Sequence, residues 1–107
     1  MKTRIMYIEN KSESLSGDAR IGRVKFSKTM RSMFYDDKEF LKIKSGFKHN
    51  CIEIGSGDEY WISGCKKDGS DRLYGEKIPV SIDENAKEEY WMTIRHQPEF
   101  INKNTSN

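Results

Sequence analysis

Residues 51–63, CIEIGSGDEYWIS, carry the clearest structural signal in this chain. Two β-prone runs, CIEI and EYWIS, flank a short link, GSGD. A glycine-rich link of this length between two such runs is the sequence signal of a β-hairpin. We therefore predict two antiparallel strands here and expect the preceding elements to be built in the same way.

Four further strands are predicted on the N-terminal side, at residues 3–8, 19–27, 30–35 and 40–43. The second of them, ARIGRVKFS, is the clearest, because Val24 and Phe26 alternate with Arg23 and Lys25. Alternation with period two is typical of a half-buried strand. Gly22, within the same run, predicts a β-bulge.

The last element differs from the others. Residues 81–84 read SIDE, which fits the capping box that starts a helix. Ala86, Tyr90 and Ile94 then recur at a spacing of four and give the segment one apolar face. We predict a helix of about three turns that ends before Pro98.

These elements predict a mainly β protein. About six short strands and one C-terminal α-helix indicate a small bent antiparallel sheet or a partly open barrel, with the helix over an apolar face or an open end. A flatter sheet with the helix lying across it is the alternative. We expect residues 1–98 to form a single compact domain and residues 99–107 to form a flexible tail.

The composition limits the possible partners and the location. Hydrophobic residues make up 35% of the 107 residues and charged residues 34%, and the net charge is only +2. This excludes a strongly cationic, histone-like protein but leaves room for a local basic patch. No run resembles a signal peptide or a membrane span, so we expect a cytoplasmic protein with no membrane partner and with Cys51 and Cys65 as reduced thiols.

A resemblance to a known family rests on RIMYIE near the start, ARIGRVKFSK, YWISGCKKDGSDRLYG and EEYW. With these motifs the chain resembles a family of small uncharacterised bacterial proteins of about one hundred residues, some of them mislabelled as 1-deoxy-D-xylulose-5-phosphate synthase. A thiamine-diphosphate enzyme needs large α/β domains, which a chain of this length does not build. The resemblance therefore implies a compact independent domain and transfers no catalytic residue.

A cysteine-dependent enzyme is the weakest of three functional hypotheses. Lys66 and Lys67 follow Cys65 and would lower the pKa of its thiol, and His49 or His96 would act as the base. No local motif places either histidine, and the histidines and cysteines lack the spacing of a zinc site. We expect no catalytic residue, no cofactor and no metal.

Nucleic-acid binding is the second hypothesis. Curved sheets commonly present aromatic side chains on which bases stack, beside cations that contact phosphates. Tyr60 or Trp61 would be the stacking platform, since adjacent strand residues face opposite ways. The candidate cations are Arg23, Lys25, Lys48, Lys66, Lys67 and Arg72.

Protein recognition is ranked first, because an exposed aromatic such as Trp61 beside Arg72 is typical of interface hot spots. The candidate contact residues for either partner are these cations together with Tyr60, Trp61 and Asp71. The partner would be regulatory or inhibitory, and we expect a monomer or a weak homo-oligomer. The loop around these residues also has a purely structural interpretation. Its Asp-Gly step predicts a tight turn, Asp71 would accept backbone N–H groups, and Arg72 would bind a carboxylate or carbonyl across the loop.

Overall fold

A computed structural model describes residues 2–13, 16–44, 49–72, 74–75 and 77–107 of the chain. Its strands are β1 (Lys2–Asn10), β2 (Ala19–Phe26), β3 (Ser32–Tyr35), β4 (Lys38–Lys42), β5 (Cys51–Glu53), β6 (Glu59–Gly64) and β7 (Ser81–Ile82). A helical segment at residues 84–94 contains a 3-10 turn (Glu84–Ala86), an α-helical turn α1 (Lys87–Glu89) and a π-helical turn (Tyr90–Ile94), and a second 3-10 turn follows at Pro98–Phe100. Among the described residues, no helix has the length and apolar character needed to cross a membrane.

Strands β1 to β6 form a closed antiparallel barrel. Each strand pairs with the next one along the chain, and β6 pairs back onto β1 with Ile8 opposite Ile62. The predicted hairpin is confirmed, with Cys51 opposite Tyr60. The mainly β prediction is confirmed too, and the barrel is closed, which leaves it no unpaired edge strand. Strand β7 lies outside it, parallel to β2.

The barrel interior is filled by one hydrophobic core. Because side chains alternate along a strand, every second residue points inward. From β1 these are Met6 and Ile8, which lie beside the inward residues of the other strands. The remaining buried members of this core are Val24, Phe26, Met33, Phe40, Cys51 and Ile62.

A second core lies outside the barrel, where the helical segment covers β1 and β2. Ile5, Tyr7 and Ile21 point outward from these strands and pack with Tyr90 and Trp91. Strand β1 is therefore buried on both faces, which explains why its apolar residues run consecutively instead of alternating. The predicted apolar face of the helix is confirmed.

Two local predictions are wrong. Gly22 pairs regularly with Met6 and forms no bulge; glycine fits here because a Cβ would meet the Tyr35 ring and the Asp83 carboxylate. The capping box does not form, because Ser81 lies in β7 and Asp83 precedes the first helical turn without a capping hydrogen bond from its side chain. The Asp83 carboxylate instead accepts hydrogen bonds from the side chains of Arg20 and Tyr35.

The segment at residues 99–107, for which the sequence predicts a flexible tail, packs against the domain. The indole of Trp91 donates to the Lys103 carbonyl at 3.2 Å, and Arg95 donates to the Ser106 carbonyl at 2.9 Å. Ser106 is 3% exposed, and its N–H bonds to Val80. The tail is thus tied to the helical segment and to the chain beside β7.

Candidate functional site

The loop after β6 is an ordered turn. Gly69 has a φ of +78°, and its N–H bonds to the Lys66 carbonyl at 3.3 Å, so the predicted Asp-Gly turn is confirmed. Hydrogen bonds from the hydroxyl and the N–H of Ser70 lower the pKa of the Asp68 carboxyl. Asp71 accepts a hydrogen bond from the Lys66 N–H at 2.7 Å. Aspartate side chains therefore hold this loop through its own backbone.

Asp71 and Arg72 lie inside the fold, with 6% and 7% of their surfaces exposed. Burial raises the pKa of the Asp71 carboxyl. The Arg72 guanidinium donates to Glu9 at 3.4 Å and to the Gly17 carbonyl at 2.9 Å. The structural interpretation of both residues is confirmed. Their predicted contact with a partner conflicts with this burial, because a second molecule reaches neither charged group.

The Glu9 carboxylate lies at the centre of the contacts that bind Arg72 to β1, and Glu9 is 1% exposed. Its carboxylate accepts hydrogen bonds from the Tyr7 hydroxyl and from the Gly17 N–H, and it forms ion pairs with Lys11 at 2.9 Å and with Arg72. Burial, together with the hydrogen bond to Glu9, raises the pKa of the Tyr7 hydroxyl. A buried carboxylate is tolerated when it is paired in this way, so the cluster joins the loop to the barrel wall.

Tyr60 and Trp61 face opposite sides of the barrel wall, as predicted. The Tyr60 ring points inward, packs edge-on against Phe40 at 4.7 Å, and its hydroxyl accepts a hydrogen bond from the Asn10 side chain at 3.3 Å. Trp61 points outward, packs against the helix-covered core and donates to Ser63 at 3.1 Å. Both rings are half-buried, and neither stands free beside the predicted cations.

Arg23 and Lys25 both point outward from β2, but only one of them is free of ion pairs. Arg23 donates to the Glu89 carboxylate of the helical segment at 3.0 Å. Lys25 is exposed and forms no ion pair with a described residue. Lys48 lies outside the described residues.

The structure brings Lys25, Lys66 and Lys67 to the same end of the barrel, together with cations that the sequence prediction missed. In an antiparallel meander, the starts of the odd strands and the ends of the even strands meet at one end. Lys2 lies opposite Phe26 at that end, and the Lys42 ammonium lies 5.8 Å from the centre of the Phe26 ring. We call this set the basic end: Lys2, Arg4, Lys25, Lys28, Arg31, Lys42, Lys44, Lys66 and Lys67.

Every cation of the basic end is exposed, and none forms an ion pair with a described carboxylate. The only described carboxylates in the adjoining loop are Asp68 and the buried Asp71. Like charges gathered on one surface repel each other and destabilise the folded state. The grouping therefore gives the fold no stability of its own.

The opposite end of the barrel carries the acids. The described carboxylates of its turns and strand ends are Glu9, Glu13, Asp18, Asp36, Asp37, Glu39, Glu53, Asp58, Glu59 and Asp83. The cations at this end are paired, as Arg20 is with Asp83 at 2.8 Å and Lys38 with Asp36 at 3.5 Å. The chain is nearly neutral as a whole, but its charges are separated along the barrel axis.

A signal for the basic end is present in the sequence. Cations follow or precede the strands at alternating ends: KTR starts β1, KFSK ends β2, R precedes β3, KIK ends β4 and KK follows β6. Each group is unremarkable by itself. Only the meander order turns them into one surface.

Cys65 lies in surroundings that oppose nucleophilic chemistry. Burial raises the pKa of its thiol to about 12, with the Asp71 carboxylate adding to the shift. Its sulfur points at the Ile5 carbonyl, 3.8 Å away, and His49 is paired with Glu59. Among the described residues, no three His, Cys, Asp or Glu side chains group as metal ligands would. Cys65 is therefore a poor candidate for a nucleophile.

Comparison with known proteins finds no family model that matches the chain, no matching curated protein and no matching solved structure. The function is therefore inferred from the residues of this chain alone.

Proposed function

We propose that this protein is a non-catalytic nucleic-acid-binding module and that the basic end is its contact surface. The observation that carries the proposal is the gathering of exposed, unpaired cations at one end of the barrel, whereas Arg20 and Lys38 at the opposite end are held in ion pairs. Sequence alone ranked protein recognition above nucleic acid. The burial of Arg72, on which the protein hypothesis relied, and the separation of charge reverse that order.

The physical argument is counterion release. A polyanion that meets several lysines and arginines releases condensed counterions, which supplies most of the sequence-independent affinity. The fields of neighbouring exposed ammonium groups add where they lie within the Debye length, which is about 8 Å at physiological salt. Such a surface attracts a phosphate backbone much more strongly than the net charge of +2 implies.

The experiment is fluorescence anisotropy with a labelled oligonucleotide over a range of salt concentrations. For contact with about five to seven phosphates of a single strand, the logarithm of the association constant falls against log salt with a slope of about −3.5 to −5. Lys66→Gln with Lys67→Gln should weaken binding about tenfold or more and make the slope shallower by about one unit.

The matched control removes the same number of charges away from the basic end. Arg20→Gln with Lys103→Gln changes the net charge equally, and both residues are exposed and lie outside the basic end. It should leave the affinity within about twofold of wild type, since neither side chain belongs to the proposed phosphate-contact surface. No oligonucleotide affinity at 20 mM salt, or an equal loss in both double variants, would refute the proposal.

Protein recognition is the second candidate, and one observation favours it. Leu41 and Ile54 are 44% and 50% exposed on the outer wall, and Ile52 lies opposite Leu41 between them. Exposed apolar rows of this kind are common at protein interfaces. With Leu41→Lys and Ile54→Lys, a partner recovered by affinity capture should be lost, whereas Ile78→Lys, at a residue of similar exposure elsewhere, should retain it. Equal recovery with both proteins would count against this candidate.

A cytoplasmic location, where nucleic acid is accessible, belongs to the same proposal. So does membership of the small bacterial family that the sequence resembles, which stays a prediction.

A further inference from the structure

The outer wall of the barrel carries an aromatic ring directly beside the basic end. Phe34 lies on β3, half-buried, with Lys25 opposite it on β2 and Glu39 opposite it on β4. Lys25 and Phe34 therefore point outward side by side, with Cβ atoms about 5 Å apart. Arg31, another member of the basic end, lies three residues before Phe34 and immediately precedes β3.

The other described aromatic side chains are engaged elsewhere. Phe26, Phe40, Tyr7, Tyr90 and Trp91 are buried. The ring of Tyr60 lies in the barrel, the hydroxyl of Tyr35 donates to Asp83, and Phe100 packs edge-on against Trp91. Trp61 lies opposite Glu9, towards the acidic end, and Tyr74 lies beside Lys11. Among the described residues, Phe34 has no aromatic partner and no cation over its ring.

Phe34 also forms part of an open groove. The groove has a volume of about 700 Å³, which is within the range of small-ligand sites. Arg23 and Lys25 line one side of it, and Asp36, Asp37, Lys38 and Glu39 line the far side, where Lys38 is paired with Asp36. With three carboxylates and one ammonium group, the far side stays net negative and repels a polyanion, so the phosphates of a ligand at Phe34 would lie towards Lys25 and the basic end.

We propose that the ligand is single-stranded nucleic acid and that Phe34 is the platform on which one of its bases stacks while Lys25 and Arg31 contact the adjoining phosphates. This rests on the proposed function. Unpaired bases have free faces that stack on an aromatic ring, whereas the faces of duplex bases are covered by their neighbours. The role assigned from sequence to Tyr60 or Trp61 thus passes to Phe34, the ring that shares a wall with unpaired cations.

The test compares two probes of equal length and charge: a 12-nucleotide oligo(dT) and the same phosphodiester chain made of abasic sites. Both are measured by fluorescence anisotropy at one salt concentration. Phe34→Leu keeps an apolar side chain for folding but removes the ring, and it should weaken oligo(dT) binding about ten- to a hundredfold. The abasic chain should bind wild type and Phe34→Leu equally. Phe34→Tyr keeps a ring and should retain the affinity for oligo(dT).

Two further variants support the assignment independently. Lys25→Gln should weaken both probes, because it removes a phosphate contact and not a base contact. Glu39→Gln, on the other side of the ring, should tighten both probes by removing a repulsive charge. Circular dichroism and thermal melting establish that each variant is folded before its affinity is interpreted.

The outcomes separate this inference from the proposed function. If neither probe binds at low salt, the proposed function fails and this inference fails with it. If both probes bind wild type equally and Phe34→Leu changes neither, the basic end still binds polyanions but the stacking role is refuted. A 12-base-pair duplex that binds as tightly as oligo(dT), with equal tolerance of Phe34→Leu, also overturns the preference for single strands.

Discussion

The buried carboxylate of Glu9 provides the sharpest test of how this fold is held together. Glu9→Gln keeps the size and shape of the side chain but removes its charge. The Arg72 side chain, 3% exposed, then loses its ion-pair partner at 3.4 Å and retains only the Gly17 carbonyl. An amide nitrogen would also stand where one of two carboxylate oxygens now accepts hydrogen bonds from the Tyr7 hydroxyl or the Gly17 N–H.

The expected cost is large. Removing one partner from a buried ion pair destabilises a protein by about 3–5 kcal/mol. The total stability of a domain is about 5–15 kcal/mol, so the loss is a substantial fraction of it. At about 4–8 °C per kcal/mol for a chain near this size, the melting temperature should fall by at least about 12 °C. Urea denaturation followed by tryptophan fluorescence measures the free energy of unfolding directly.

The chain offers a matched control at Glu84. Its side chain is 88% exposed and forms an ion pair with Lys87 on the surface. Glu84→Gln removes an equal charge and should cost only about 0–1 kcal/mol. Arg72→Met should cost nearly as much as Glu9→Gln, and the double variant should cost less than the sum, because the two side chains share one interaction. If Glu9→Gln and Glu84→Gln differ by less than about 1 kcal/mol, the buried cluster does not stabilise the fold as argued.

Three further predictions concern the thiols and a turn. At pH 8, alkylation of Cys51 and Cys65 in the folded protein should be about a thousandfold slower than in the denatured chain. The reason is that burial raises both thiol pKa values to about 12 from a free value of about 8.5. Rapid labelling of Cys65, measured by mass spectrometry, would restore the nucleophile hypothesis. Because the pKa of Cys51 is raised in the folded protein, the unfolded chain releases this proton first as the pH rises. The resulting stability is fully present below about pH 8.5, and about 2 kcal/mol of it is lost at pH 10. In urea titrations at pH 8 and pH 10, the free energy of unfolding of Cys51→Ala should fall by about 2 kcal/mol less than that of wild type, and equal losses would contradict the assignment. Gly69→Ala should destabilise the folded protein by about 1 kcal/mol or more beyond Gly57→Ala. Both glycines have φ near +78°, but only a Cβ at Gly69 would meet the Arg95 guanidinium. Equal melting temperatures of the two variants would show that Arg95 moves aside freely.

The strands were predictable because local chemistry decides them. Val24 and Phe26 alternate with Arg23 and Lys25, and the glycine-rich link at residues 55–58 closes a hairpin, so period and turn residues agree. The apolar spacing of Ala86 and Tyr90 marked the helical face for the same reason. These signals depend on neighbours within a few residues of each other.

The wrong and missing local predictions have a tertiary cause. The sequence predicts Ser81 as a helix cap, but its backbone pairs with Arg20 of β2. This pairing places Asp83 where its carboxylate accepts a hydrogen bond from the Arg20 side chain. The tail reads as frayed because its polar residues show no apolar period. It is held by backbone carbonyls that accept hydrogen bonds from the side chains of Trp91 and Arg95. Every residue has a backbone carbonyl, so such bonds cannot be predicted from the type of the accepting residue.

The candidate site shows the same division. Lys25, Lys66 and Lys67 were candidates from sequence, and the structure places them at one end of the barrel with cations from the start of β1, the approach to β3 and the end of β4. Arg72 has the same charge as Lys66 and Lys67 and lies in the same loop, but it is buried against Glu9 of β1. Its burial depends on the position of β1 in the fold, which the composition of the loop does not indicate. The stacking candidate moved from Tyr60 and Trp61 to Phe34 for a comparable reason.

Local sequence was sufficient to predict where the six barrel strands lie along the chain, the glycine-rich turn at residues 55–58, the apolar face of the helical segment and the Asp-Gly turn, since each depends on side-chain period and backbone conformation over short distances. Three features arise only in the folded barrel: β6 closes onto β1, β1 is buried on both faces, and the unpaired cations of the basic end gather opposite the acids of the other strand ends and turns. Those features depend on contacts between residues far apart in the chain, such as Ile8 with Ile62 and Glu9 with Arg72. Their energies become favourable only when the barrel closes, so no local pattern records them.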